Sequence, residues 1–403
     1  MPEIHDLYLA EDGLGLAAAL RGGSVTASEL LEAALARAAA INASLGALCY
    51  IDEIGARAAL ARLDPAASFA GVPFLMKDLG AAAAGLRTIA GAHYFARNAV
   101  PATTDSDLVA RLRRAGVVIF GKTTVPEVGL NLASEPLIGP IARNPWNLDR
   151  GAGGSSGGAA AAVAAGIVPL AHATDAGGSI RVPAAACGVV GLKPSRGLMP
   201  QGPDFDNLLM GLASEFVVSR TVRDSAAMLD ACAGTPCGPY AAPPLALTGP
   251  ALAALDRPLS PLRIGLVEAG PASSEITEER SAAVTAAARL LEAAGHGIER
   301  LFSTELELHL VVAEQFFEQV ICAALASLAE ELNPSTGRRR FRADDLGRDR
   351  ARPSSHRRQP CRRHPRCGAG LLCAGTVLRA VRRDYYADSR RCASARWGIP
   401  DRR

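Results

Sequence analysis

Two serines set among glycines, Ser155 in Gly153-Gly154-Ser155-Ser156-Gly157-Gly158 and Ser179 in Gly177-Gly178-Ser179-Ile180-Arg181, lie 24 positions apart on either side of an Ala-rich apolar stretch. Glycine tolerates positive φ and carries no side chain. Gly-Gly before a serine therefore lets backbone N–H groups turn toward one point and lets a substrate come close. That is the layout an oxyanion hole needs. A flexible linker and a phosphate-binding loop are the rival readings of residues 153–158. A linker would not be embedded between two helix-forming apolar segments. The phosphate loop demands a Lys-Ser or Lys-Thr pair after its last glycine, and none is there.

The chain has three lysines, at 77, 122 and 193. Lys77 ends the apolar run Gly71-Val72-Pro73-Phe74-Leu75-Met76-Lys77-Asp78, which would bury its stem. Burial of the amine disfavours the ammonium and turns a surface cation into a usable base. A lysine snorkelling from a strand end, or pairing with Asp78, is the plainer alternative, and taken alone it is the commoner one.

The elements that must position these residues alternate between helix and strand. Thr26 and Glu29 have capping-box spacing ahead of Leu30, Leu31, Ala34, Leu35 and Ala38, which share one helical face. A second helix runs from Asp105 through Leu108 and Leu112 to Gly116 and feeds the buried strand Val117-Val118-Ile119-Phe120. Residues 157–173 read as a buried helix running into a strand; Pro169 and His172 make them a poor membrane span. Thr221 caps a helix that passes through Leu229, and a proline cluster follows as a surface connection. The strand from Arg263 and the helix from Glu278 to Ala294 repeat the alternation, as in a sheet covered on both faces.

Three phrases occur in order: Gly-Val-Pro-Phe-Leu-Met-Lys-Asp, Gly-Gly-Ser-Ser-Gly-Gly and Asp-Ala-Gly-Gly-Ser-Ile-Arg-Val-Pro-Ala. Together they resemble the amidase signature family, and Gly121-Lys122-Thr123-Thr124-Val125-Pro126-Glu127 and Arg143-Asn144-Pro145-Trp146-Asn147 add to the likeness, which covers roughly residues 5 to 330. The resemblance implies an α/β fold with a large mixed β-sheet core sandwiched between helices. It implies Ser179 as nucleophile, Ser155 as bridging serine on a cis peptide bond and Lys77 as base, with the N–H groups of Ala176, Gly177, Gly178 and Ser179 holding the oxyanion. Ser156 would orient the loop by hydrogen bonds, and Asp175 and Arg181 would form a structural pair. The implied reaction is hydrolysis of a carboxylic amide through an acyl-enzyme, with no cofactor and no metal. A glutaminase subunit of a tRNA-dependent amidotransferase and an inactive truncated amidase are the alternatives.

Composition bounds the remaining questions. Residues 335–403 hold 20 Arg and 6 Asp and no Lys or Glu, a net of +14, whereas residues 1–334 carry a net of −11. This sets a boundary near Asn333, ahead of an Arg-rich tail over 335–403, and the resemblance implies an amidase domain over 1–334 that is C-terminally incomplete. Three origins compete for the tail: an out-of-frame GC-rich reading, which is favoured, a nucleic-acid-binding arm, and a metal segment. Cys361, His364, Cys367 and Cys373 do not repeat a paired zinc spacing. Nine cysteines without paired spacing argue for free thiols, with Cys187 and Cys232 in the core. The start lacks the basic-then-apolar order of a secretory signal, so a cytoplasmic location is expected. The expected partner is a small-molecule amide, with neither membrane nor nucleic acid, and a homodimer is left open.

Overall fold

The capping box at Thr26 forms as its spacing requires: the Thr26 hydroxyl accepts the Glu29 N–H, and the Glu29 carboxylate accepts the Thr26 N–H. In the computed structural model, residues 2–200, 202, 208–234, 247, 249–267, 276–301 and 316–328 are described. They fall into two compact units, residues 1–258 and 259–403. The 335–403 tail, with its competing origins, lies outside the described residues.

The first unit begins with helices α1 (Pro2–Ala10), α2 (Gly13–Arg21) and α3 (Ala27–Leu45), then strand β1 (Leu48–Ile51), helix α4 (Glu53–Leu60) and strand β2 (Pro73–Lys77). Helices α5 (His93–Asn98) and α6 (Asp107–Arg114) lead to β3 (Val118–Thr123) and to a small hairpin, β4 (Arg143–Asn144) with β5 (Asn147–Gly151). Helix α7 (Gly157–Ala164), β6 (Leu170–Asp175), α8 (Arg181–Cys187), β7 (Val190–Gly191), β8 (Ser214–Ser219), α9 (Val222–Cys232) and α10 (Ala251–Ala254) complete it.

Among the described residues the central sheet runs β1-β3-β2-β6-β8-β7. Its inner strands β3, β2 and β6 are parallel, while β1, β8 and β7 pair antiparallel. Strands β2, β3, β6 and β8 are buried at every residue, as expected of strands covered on both faces. The core joins Leu30, Leu31 and Ala34 of α3, Phe74 to Met76 of β2, Phe120 of β3 and Phe216 to Val218 of β8. Helix α7 is the innermost layer. Its residues 157–163 are all buried, and Ala and Gly let its backbone lie close to the sheet.

Two details differ from the sequence reading. Helix α6 starts after Ser106, whose hydroxyl accepts the Val109 N–H, because Asp105 is occupied elsewhere. Its carboxylate accepts the Ala84 N–H and pairs with Arg113. In the second unit, β9 (Arg263–Leu266) and β10 (Gly297–Arg300) pair parallel around α11 (Glu278–Ala293) as a two-stranded sheet of their own, not as a continuation of the central one. No helix among the described residues is long and apolar enough to cross a membrane. Cys187 and Cys232 are buried free thiols.

Candidate active site

Lys77 is the last residue of β2 and is wholly buried. Successive strand residues face opposite ways, so Lys77 and Asp78 part company. Asp78 turns to Lys122, 3.6 Å away, and accepts the Ile89 N–H. The Lys77 amine instead donates to Ser155 Oγ at 2.7 Å and to Thr174 Oγ1 at 2.8 Å. Burial, only partly offset by the negative charges of Glu215 and Asp175, lowers the Lys77 amine to about 7. The pairing of Lys77 with Asp78, the plainer alternative, is therefore not what forms.

Ser155 stands at the entry to α7, and the Gly154–Ser155 peptide bond is cis. Its carbonyl accepts the Ser134 hydroxyl at 3.1 Å, and the same hydroxyl accepts the Gly157 N–H at 2.9 Å, so Ser134 ties the loop to the first turn of the helix. Ser156 orients the loop by hydrogen bonds. Its Oγ donates to the Thr174 carbonyl and accepts the Thr174 N–H, each at 3.3 Å, and its N–H donates to the Ser179 carbonyl at 3.2 Å. One residue thus fixes both serine-bearing segments against β6.

Asp175, at the end of β6, organises the segment that carries Ser179. Its carboxylate accepts the N–H groups of Gly178 (2.8 Å), Ile180 (3.2 Å) and Arg181 (3.4 Å). The Arg181 guanidinium adds a two-pronged contact at 2.9 Å on each prong. Burial alone would raise this carboxyl, but Arg181 and the N–H donors outweigh it and hold the carboxyl below its ordinary range. Gly178 turns the chain at φ +127°, a conformation other residues rarely take. Its N–H is already given to Asp175. Of the four donors that the resemblance assigns to the oxyanion, those of Ala176, Gly177 and Ser179 remain, and Gly177 is exposed.

Exposure falls from 9% at Ser179 through 2% at Ser155 to 0% at Lys77, which orders the three from the outer edge of the site inward. Such an order suits proton movement toward a dry base. Among the described residues no cluster of His, Cys, Asp and Glu could hold a metal ion.

The Amidase family profile matches residues 29–363. The chain belongs to the amidase signature family. Among its relatives, the 6-aminohexanoate-cyclic-dimer hydrolase of Paenarthrobacter ureafaciens is 39% identical over 303 residues, covering 74% of this chain and 60% of that protein. The chain thus spans about 60% of the length of the curated relatives it matches first. The structure of a 6-aminohexanoate cyclic dimer hydrolase complexed with substrate superimposes with a TM-score of 0.75 at 36% identity, over 81% of this chain and 67% of that one. A bacterial aryl acylamidase of the amidase signature family follows at 0.69 and 27%, over 80% and 66%. The mixed sheet flanked by helices is the fold of these amidase signature structures.

Thr174, Ser134, His172 and Glu215 escaped the motif reading. Thr174 and His172 share one face of β6, and Glu215 is the single acid of strand β8, so each is a polar residue in a strand buried at every position. Strand pairing gave Thr174, His172 and Glu215 their neighbours, and the loop before the β4–β5 hairpin brought Ser134 to Ser155 and Gly157; no local motif shows either.

Proposed function

We propose that this chain is an amidase that hydrolyses a carboxylic amide through Ser179, Ser155 and Lys77. The observation that supports this most is the 2.7 Å contact between the wholly buried Lys77 amine and Ser155 Oγ. The neutral amine takes the Ser155 proton while Ser155 takes that of Ser179, and Ser179 Oγ attacks the amide carbon. The N–H groups of Ala176, Gly177 and Ser179 hold the oxyanion. The proton on Lys77 returns through Ser155 to the leaving nitrogen, the C–N bond breaks, and water then hydrolyses the Ser179 ester.

Every residue in this scheme lies in the first unit, Met1–Pro258. The catalytic centre then belongs to a 1–334 amidase domain, with the Arg-rich 335–403 as a separate tail. Small-molecule amides are its substrates and the cytoplasm its compartment. The names of its relatives suggest cyclic and aryl amides as first probes. The test is the release of linear product from 6-aminohexanoate cyclic dimer, followed by mass spectrometry, with Ser179→Ala as control. Product formation that is equal in the two proteins would sink the proposal.

The rate should also depend on pH with a defined sign. Lys77 acts only as the free amine, and its proton is held down to about 7, so kcat/KM should fall about tenfold per pH unit below that value and level off above it. His172 cannot supply this limb, because burial first, then the positive charges of Lys77 and Lys122, press its imidazole down to about 3. A profile flat from pH 5.5 to 8 would contradict Lys77 as base.

A further inference from the structure

The reaction leaves a proton on Lys77, a cation in a dry core, and the acids near it are unequally free to answer that charge. Asp175 is committed to Arg181 and to three N–H groups. Asp78 faces Lys122. Glu215 is different: 1% exposed, it accepts the Ala81 N–H at 2.8 Å. It is the cross-strand partner of Thr174, whose hydroxyl holds the Lys77 amine.

Two further features hold Glu215 in that place. Gly80, at φ +97°, leaves room where a Cβ would lie 2.1 Å from Glu215 Oε1, so the backbone just beyond Lys77 closes directly over the carboxylate. His172 stands on the other side. Its Nδ1 accepts the Lys77 N–H at 3.3 Å, which places the ring proton on Nε2, and Nε2 has no hydrogen-bond partner and points to Glu215 Oε1 at 3.9 Å. Donor and acceptor are separated by less than 1 Å beyond an ordinary hydrogen bond.

We propose that Glu215 is a positioning residue for the base: its carboxylate, held between Thr174, His172 and the Gly80–Ala81 backbone, sets the proton affinity of Lys77. This deepens the Ser179–Ser155–Lys77 reading and rests on it. The charged and titratable groups facing the pair are few. Strand β6 brings His172 and Asp175, and β3 brings Lys122, already matched by Asp78. The buried positions of α3 and α7 carry none, and Asp224 of α9 is turned to the N–H groups of Gly13 and Leu14. Burial pushes the Glu215 carboxyl up, and the Ala81 N–H and the Lys77 charge pull it back, so the carboxylate and the ammonium favour one another.

With three lysines in the chain, [13Cε]lysine labelling gives three NMR signals, and Lys77→Met identifies the one that matters. In Glu215→Gln its titration midpoint should fall by about one pH unit or more, since a nearby anion that favoured the ammonium is gone. Glu215→Asp, which keeps the charge but withdraws it, should give a smaller fall and serves if the Gln variant does not fold. An unchanged midpoint in either folded variant overturns the proposal. A wild-type chain that fails to react with a fluorophosphonate at Ser179 would overturn the amidase reading instead, while the lysine titration remained readable.

Discussion

Replacing Lys77 by methionine should reduce amide hydrolysis by roughly 10⁴-fold while leaving the folded protein as stable as before or more so. Methionine matches the length and the apolar stem and omits only the amine. The sign of the stability change follows from proton binding. The folded chain holds the Lys77 proton only below about 7, whereas the unfolded chain keeps it up to the ordinary lysine range near 10.5. Between those values the unfolded state binds more protons, so the lysine's contribution to stability improves as pH rises through that window and is worst below it. At pH 7 the buried lysine costs on the order of 4 kcal/mol. The lost hydrogen bonds to Ser155 and Thr174 return about 1 kcal/mol each to the other side. A kinetic assay beside thermal unfolding at pH 7 checks this. Activity lost only in proportion to unfolding would show that Lys77 is structural.

The second large effect is expected at Gly158, where alanine should lower the melting temperature by about 6–12 °C and abolish activity. Inside a solvated helix, glycine to alanine is worth about 1 kcal/mol of stabilisation. Here the added Cβ would lie 2.4 Å from the Ala47 carbonyl oxygen, 2.4 Å from the Thr124 nitrogen and 2.7 Å from the Thr124 carbonyl oxygen. All three atoms are backbone, so no rotamer can relieve the contact, and the cost belongs at the upper end of overpacking, about 3 kcal/mol. The Gly158 N–H also donates to the Thr124 carbonyl, an anchor that would be pushed away. Because Ser155 and Ser156 lead directly into this turn, the shift reaches the site. Calorimetry of the purified variant decides it, and an unchanged or raised melting temperature would contradict the packing described for α7.

The three residues proposed to carry the chemistry drew attention in the sequence for a physical reason. Ser155 and Ser179 need glycine around them to expose N–H groups, and Lys77 needs an apolar run to bury its amine, so each leaves a local mark. The ordering of α7 and β6 between the serines was equally readable, from an Ala-rich helix and Pro169. Thr174, His172 and Glu215 were not, since their roles come from the β2–β6 and β6–β8 pairings. Nor could spacing show that Asp175 takes the Gly178 N–H, or that Ser106, rather than Asp105, caps α6. Where β9 and β10 pair was likewise a question of topology, and alternation of helix and strand alone left it undetermined.

The central claim is that Ser179 is the nucleophile, and covalent labelling tests it without knowledge of the substrate. Purified chain treated with a fluorophosphonate at pH 8 should gain one adduct, mapped by tandem mass spectrometry to the peptide containing Ser179. The adduct should be absent from Ser179→Ala and slowed by several orders of magnitude in Lys77→Met. An adduct on another serine, or no adduct on folded protein, would contradict the account.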